Sequence, residues 1–383
     1  MTSRERIFAA LSHREPDRVP FDLGGTVVTG ICLGAYRELV RALGLAEQPE
    51  CLHRTQQLAR PSEALLERLR VDTRGLLPGP DPSWRPREWQ DESYLYFEDQ
   101  WGTHHRMPKR GGLYYDVCRA PLGEPEVLSP SDVAAYPMPD AANPLTVRGL
   151  REQAERFRAQ GKCVILKSPC AGALEMATRL RGMDKFLMDL ALAPRAAAML
   201  MDRIIELKIE YWRMAMAELG HCVDVLMEAD DYGTQNGLLL APAMWRKMVK
   251  PRLARLVAEV KKASGGKPLF FHSCGAVREV IPDLIELGID ILNPVQLSAA
   301  GMDTAELKRL FGDDLVFWGG GADTQTVLAQ ATPAQVREHV KRQIDILAPA
   351  GGFVFAAVHN IQNDVPPENI LAMWETLMEH GRY

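Results

Sequence analysis

The chain has no apolar run approaching the roughly 18 residues that a membrane-spanning helix needs. It has no C-x-x-C pair. Its seven cysteines, Cys32, Cys51, Cys118, Cys163, Cys170, Cys222 and Cys274, are odd in number and scattered, unlike a secreted disulfide framework. The opening Met1-Thr2-Ser3-Arg4-Glu5-Arg6 places charges where a signal peptide carries apolar residues. A cytoplasmic compartment is therefore expected, with no membrane partner. Cationic excess is also missing: 45 Lys and Arg stand against 50 Asp and Glu, a net charge of -5, so no nucleic-acid partner is expected. No P-loop, H-E-x-x-H, nucleophile-elbow G-x-S-x-G or kinase signature occurs, which removes the commonest nucleotide, zinc-protease and serine-hydrolase classes.

What remains is an ordinary globular composition, 46% hydrophobic and 25% charged, in 383 residues, enough for a large core. Eight short apolar runs alternate with longer helical patterns: Arg18–Leu23, Val71–Leu77, Cys163–Ser168, Val223–Glu228, Pro268–His272, Ile289–Asn293, Leu315–Trp318 and Phe353–His359. Strands alternating with helical crossovers predict an α/β fold, a (β/α)8 TIM barrel, because a parallel sheet must be covered by helices. The competing doubly wound sheet lacks its G-x-G-x-x-G after the first strand. Helices are expected over Leu174–Leu190, Ala193–Leu219, Met244–Lys262 and Pro333–Leu347, and from Pro366 to Met378, with Thr332 and Pro333 forming a helix start. The chain reads as one domain, 1–383, with a surplus inserted between the second and third strands at about 78–161. Within it Tyr94–Glu98, Gly102–Met107 and Gly112–Val117 read as short antiparallel strands, and the insertion is placed as a lid or partner surface over the barrel mouth.

The stretch Phe270-Phe271-His272-Ser273-Cys274-Gly275 closes the fifth run. Residues two apart in extended backbone point the same way, so His272 and Cys274 can reach one metal ion, and an N/S pair suits Zn²⁺. Read alone, H-x-C is short and frequent, and a hydrogen-bonded histidine beside a packing cysteine is the favoured account of it. Barrel active sites gather at the C-terminal strand ends, where His359 and Glu228 also fall, and any three of these four residues make a catalytic-type zinc site. Beyond Glu228, the carboxylates Asp230 and Asp231 with Tyr232 offer acid–base groups, against the plainer reading of a solvated loop and helix cap. Gly319-Gly320-Gly321 before Asp323 and Gln325 allows a ligand to approach the backbone or makes a tight turn ending in a cap. Asn360 and Gln362 offer neutral polar contacts to a substrate.

These residues resemble the uroporphyrinogen decarboxylase superfamily over almost the whole chain. The likeness lies in Arg4-Glu5-Arg6-Ile7-Phe8 through Asp17-Arg18-Val19-Pro20, His272-Ser273-Cys274-Gly275, Leu287-Gly288-Ile289-Asp290, the glycines before Asp323, and His359 followed by Pro367-Glu368. The superfamily contains metal-free porphyrinogen decarboxylases and zinc-dependent, corrinoid-linked methyltransferases. The arginine-rich segment with which true decarboxylases grip carboxylates is replaced here by Asp22-Leu23-Gly24-Gly25-Thr26-Val27, and their aspartate past the second strand by Leu76-Leu77-Pro78-Gly79-Pro80. The H-x-C motif is similar to the methyltransferase branch, whose third zinc ligand is a later cysteine where this chain has His359. The resemblance thus implies zinc on His272, Cys274 and His359, and methyl transfer between a small thiol or methoxyl compound and a corrinoid (cobalamin) on a carrier protein. Glu228, Asp230, Asp231 and Tyr232 would act in catalysis, and Asn360, Gln362, Asp323 and Gln325 would hold substrate. A homodimer is implied by the resemblance alone. The rival readings are a decarboxylase or lyase acting on a small acid, and a non-catalytic binding barrel with structural zinc.

Overall fold

Seven parallel strands form one sheet in the computed structural model, which describes residues 1–383. They follow one another in chain order: Thr73–Leu76, Cys163–Lys167, Val225–Ala229, Leu269–His272, Ile291–Asn293, Val316–Trp318 and Phe353–Val354. Helical crossovers join each pair, as parallel pairing of sequential strands requires. The eighth expected strand closes the barrel without being one. Asp22 N–H donates to the Phe355 carbonyl at 2.9 Å, Phe355 N–H to that of Pro20 at 2.8 Å, and Asp72 N–H to that of Phe21 at 2.9 Å. Arg18–Leu23 therefore lies between the last strand and the first, reduced to a single parallel bridge, Phe21 to Phe355. Pro20 has no N–H to give a ladder. The Phe21 N–H goes instead to the Asp72 carboxylate at 2.8 Å, which Arg6 and Arg18 also hold. The final run is likewise shorter than expected, ending as a strand at Val354.

Side-chain alternation divides the strands into two cores. Cys163, Ile165, Val225, Met227, Phe270, Ile291, Val316, Trp318 and Val354 fill the barrel interior. Val164, Leu166, Leu226, Leu269, Phe271, Leu292, Phe317 and Phe353 face outward and pack under the helices. This period of two decides which strand-end residues enter the barrel mouth and which go behind the sheet.

Two expected helices are broken. The first divides at Gly182, whose φ of 93° ends the helix, into Ala173–Arg181 and Met183–Leu192. The second divides at Val249 into Pro242–Met248 and Lys250–Ser264, because Pro251 cannot donate the bond that would carry one helix into the next. Pro333–Leu347 starts as the sequence indicates, with Thr332 and Gln335 forming a reciprocal cap. The last helix is Pro367–His380.

The inserted segment carries a four-stranded antiparallel sheet, Arg87–Gln90, Tyr94–Glu98, His104–Pro108 and Asp116–Arg119, one strand more than the sequence suggests. The helix Leu150–Ala159 at its end packs on the strands Thr73–Leu76 and Cys163–Lys167, as the barrel's own crossover helix does. No helix is long and apolar enough to cross a membrane. All seven cysteines are free thiols.

Candidate metal centre

His272 ends its strand on the inward side, two residues after the interior Phe270, so its imidazole projects into the barrel mouth. Cys274 follows in the loop, with its Sγ 3.3 Å from His272 Nε2. His359 arrives from the segment after the last strand, Phe353–Val354, its ring centroid 5.4 Å from that of His272. Ligand atoms of the three all lie within 4.8 Å of one another. Two imidazole nitrogens and a thiol at this spacing match the donor types of a three-ligand zinc site.

The tautomer of His272 is set from behind. Asn293, at the inward end of the neighbouring strand, donates its Nδ2 to the Trp318 carbonyl at 2.6 Å. That bond turns the Asn293 Oδ1 toward His272 Nδ1, 2.5 Å away. An acceptor there requires Nδ1 to carry a proton, which leaves Nε2 as the ring nitrogen that faces Cys274 and the space between the candidate ligands. His359 is held at a φ of 64°, a left-handed conformation that costs a non-glycine residue energy and is found where the surroundings over-determine it.

Electrostatics in the pocket favour the neutral forms. Burial, then the adjacent His272, pulls His359 down to about 4, so its ring is a free base competent to ligate. Burial, with Asp231 and Glu175 nearby, pushes the Cys274 thiol well above its ordinary value. A thiolate in this pocket therefore calls for a cation beside it.

The remaining expected site residues separate into two groups. Asp231 belongs at the centre: its Oδ1 accepts the Cys274 N–H at 2.9 Å and lies 3.7 Å from His272 Nε2. Gln325, Asn360 and Gln362 line a cleft of ≈ 370 Å³ with Cys274 and His359. Asn360 also ties this wall together, accepting from Gly30 N–H at 2.6 Å and donating to the Val27 carbonyl at 2.9 Å.

Glu228, Asp230, Tyr232 and Asp323 are not brought to the cluster. Glu228 shares the outward parity of Leu226 and is buried behind the sheet, bonded to Lys208 at 2.7 Å and Trp212 Nε1 at 2.6 Å. Asp230 accepts from Leu174 N–H at 3.1 Å and Glu175 N–H at 2.8 Å, seating the Ala173–Arg181 helix; burial, with Glu175 close by, raises it to about 7. Tyr232 is buried against Trp245 and Phe271. Asp323 caps a turn through Thr326 N–H at 2.7 Å.

Sequence reasoning missed Asn293 and five residues of the cleft wall, Gln56, Tyr114, Gln296, Thr324 and Val358. Asn293 carried a usable signal, since it ends an expected barrel strand. Tyr114 sits in the inserted segment and brings that segment to the cleft.

The family described as "Uroporphyrinogen decarboxylase (URO-D)" matches residues 112–380. A uroporphyrinogen decarboxylase of Aeromonas salmonicida is 23% identical over 267 residues, 67% of this chain and 70% of that protein. One from Aromatoleum aromaticum is 25% identical over 155 residues, 38% of this chain, so the chain spans only 39% of that relative. The solved structure of a methyltransferase from Methanosarcina mazei superposes with a TM-score of 0.64 at 18% identity, covering 99% of both chains. That likeness is one of fold.

Proposed function

The chain belongs to the uroporphyrinogen decarboxylase family, and on that footing we propose that it is a zinc-dependent methyltransferase, moving a methyl group between a small thiol or methoxyl compound and a corrinoid on a separate carrier protein. The observation that carries the reading is the His272, Cys274 and His359 cluster opening on the cleft. Zinc held there would act as a Lewis acid, stabilising a thiolate or alkoxide on the substrate. The chain's own residues do the rest. Asn293 keeps a proton on His272 Nδ1, so that Nε2 stays free. Asp231 fixes the Cys274 backbone and places a negative charge at the rim. Gln325, Asn360 and Gln362 give the substrate neutral hydrogen-bonding partners.

Porphyrinogen decarboxylation fits less well. In place of the arginine-rich segment stands Asp22, a buried carboxylate holding Thr73 at 2.5 Å and Trp318 Nε1 at 2.8 Å. A substrate bearing many carboxylates finds no cation in that segment. The fold likeness to a methyltransferase agrees with the proposal.

The test is spectroscopic. Zinc-loaded protein should demethylate methylcobalamin in the presence of a thiol, or methylate cob(I)alamin from a methyl donor, and Cys274→Ala should lose both stoichiometric zinc and this reaction. Full activity in metal-free protein, or zinc retained by Cys274→Ala, overturns the reading.

A further inference from the structure

Two glutamines of the cleft wall have their amide oxygens engaged within the protein and part of their N–H hydrogens unspent. Asn360 fixes the first. Its orientation is set by backbone groups that have one role each: Gly30 N–H must meet Oδ1, at 2.6 Å, and the Val27 carbonyl must meet Nδ2, at 2.9 Å. Asn360 Nδ2 also faces Gln56, so the atom that it meets there, at 3.1 Å, is Oε1. Gln56 Nε2 is left over. It donates to no group of the protein, and Gln56 is a half-buried part of the cleft wall. Gln296 is fixed from both ends of a short relay. The Ser298 carbonyl can only accept, so Gln235 presents Nε2 to it and Oε1 to Gln296 Nε2, at 2.9 Å. Gln296 Oε1 then accepts from Gly275 N–H at 2.8 Å, the one polarity that satisfies both backbone ends. One hydrogen of Gln296 Nε2 remains.

Gln56 and Gln296 line one cleft with Cys274 and His359, so these spare N–H groups stand in the same space as the metal-ligand cluster. A neutral N–H that gives up its water to a ligand lacking an acceptor goes unpaired, and a site built to bond such a group rejects the analogue without it. We propose that Gln56 and Gln296 read a hydrogen-bond-accepting oxygen on the substrate, a carbonyl or ether, so that the preferred methyl-transfer substrate is a neutral compound carrying such an oxygen beside its thiol or methoxyl group. The proposal rests on the methyltransferase reading only for what the reacting end of that compound is.

The experiment compares 3-mercapto-N,N-dimethylpropanamide, which offers a carbonyl and no N–H, with 3,4-dimethylpentane-1-thiol, its hydrocarbon counterpart of the same skeleton, by calorimetric titration of the zinc-loaded protein. The amide should bind about 3–10-fold tighter, against the greater hydrophobicity of the hydrocarbon. Gln56→Met should bring the two affinities together. Gln56→Glu keeps an oxygen for Asn360 Nδ2 but has no N–H, so it should lose the preference as well, whereas a residue that only braces Asn360 would keep it. Equal affinities in the wild type, tighter binding of the hydrocarbon, no binding of either thiol, or a preference surviving in either variant overturns the proposal, and the wild-type comparison needs no variant to fold. Repeating the wild-type titrations without metal separates the two ideas. If neither thiol gains from zinc while the amide is still preferred, the metal reading falls and the recognition of the oxygen stands.

Discussion

Replacing Asn293 by leucine tests the centre from one residue behind it. Asn293 is fully buried and makes two bonds, accepting from His272 Nδ1 at 2.5 Å and donating to the Trp318 carbonyl at 2.6 Å. Leucine fills similar volume and makes neither. The abandoned Trp318 carbonyl costs about 1–3 kcal/mol of stability, the penalty for an unsatisfied buried acceptor. His272 loses the group that fixes its tautomer and ring, a change that typically weakens metal binding about 10–100-fold, or roughly 1.4–2.7 kcal/mol. Asn293→Asp separates the two effects. Its carboxylate still accepts from Nδ1–H, so zinc affinity should hold, while the bond to Trp318 is lost and stability falls. Zinc affinity by competition with a chelating indicator, beside thermal unfolding of the metal-free proteins, reads both quantities. An Asn293→Leu protein that binds zinc within about twofold of the wild type refutes the claim that Asn293 orients a ligand.

Three further outcomes are expected. Glu228→Leu leaves Lys208 buried and uncompensated and should cost about 3–5 kcal/mol, with zinc stoichiometry of the folded protein unchanged; zinc loss without destabilisation would put Glu228 at the centre after all. His359→Gly removes a proposed ligand and also a left-handed non-glycine, whose relief of about 1–2 kcal/mol offsets lost packing. Zinc binding should therefore fall sharply while the melting temperature of the metal-free protein moves little. Asp17, bonded to Arg6, is held down from 3.8 to about 2, so the stability it contributes is complete above 3.8 and lost as pH falls toward 2. Asp17→Asn should flatten that part of the acid-unfolding curve, and an unchanged slope between pH 4 and pH 2 counts against the ion pair.

The barrel was legible because its strands announce themselves twice, as apolar runs and as the residues between helical patterns. Closure was less legible. Arg18–Leu23 has the composition of a strand, yet Pro20 and the Asp72 carboxylate leave it a single bridge, and only Asp72, 51 positions from Phe21, accounts for that. The helix breaks at Gly182 and Pro251 were written in the sequence as residues, but apolar periodicity runs straight through both. His272, Cys274 and His359 were readable as strand-end donors of the right chemistry, and the structure brings them together. The cleft walls Gln56 and Tyr114 come from segments with no fixed relation to the strand pattern, so no local signal places them.

The division between Glu228 and His272 shows what decides a strand-end residue's role. Both lie within one residue of the end of a barrel strand and both carry a metal-competent side chain, so proximity to the strand end alone does not separate them. Parity does. His272 is in step with Phe270 and enters the mouth, whereas Glu228 is in step with Leu226 and is forced behind the sheet. A carboxylate there must find a cation or be neutralised, and Lys208 on the long helix Pro194–Leu219 supplies it. The same count puts Asn293 in step with Ile291, facing the mouth. A residue that composition leaves unremarked thus stands directly behind the candidate ligand His272.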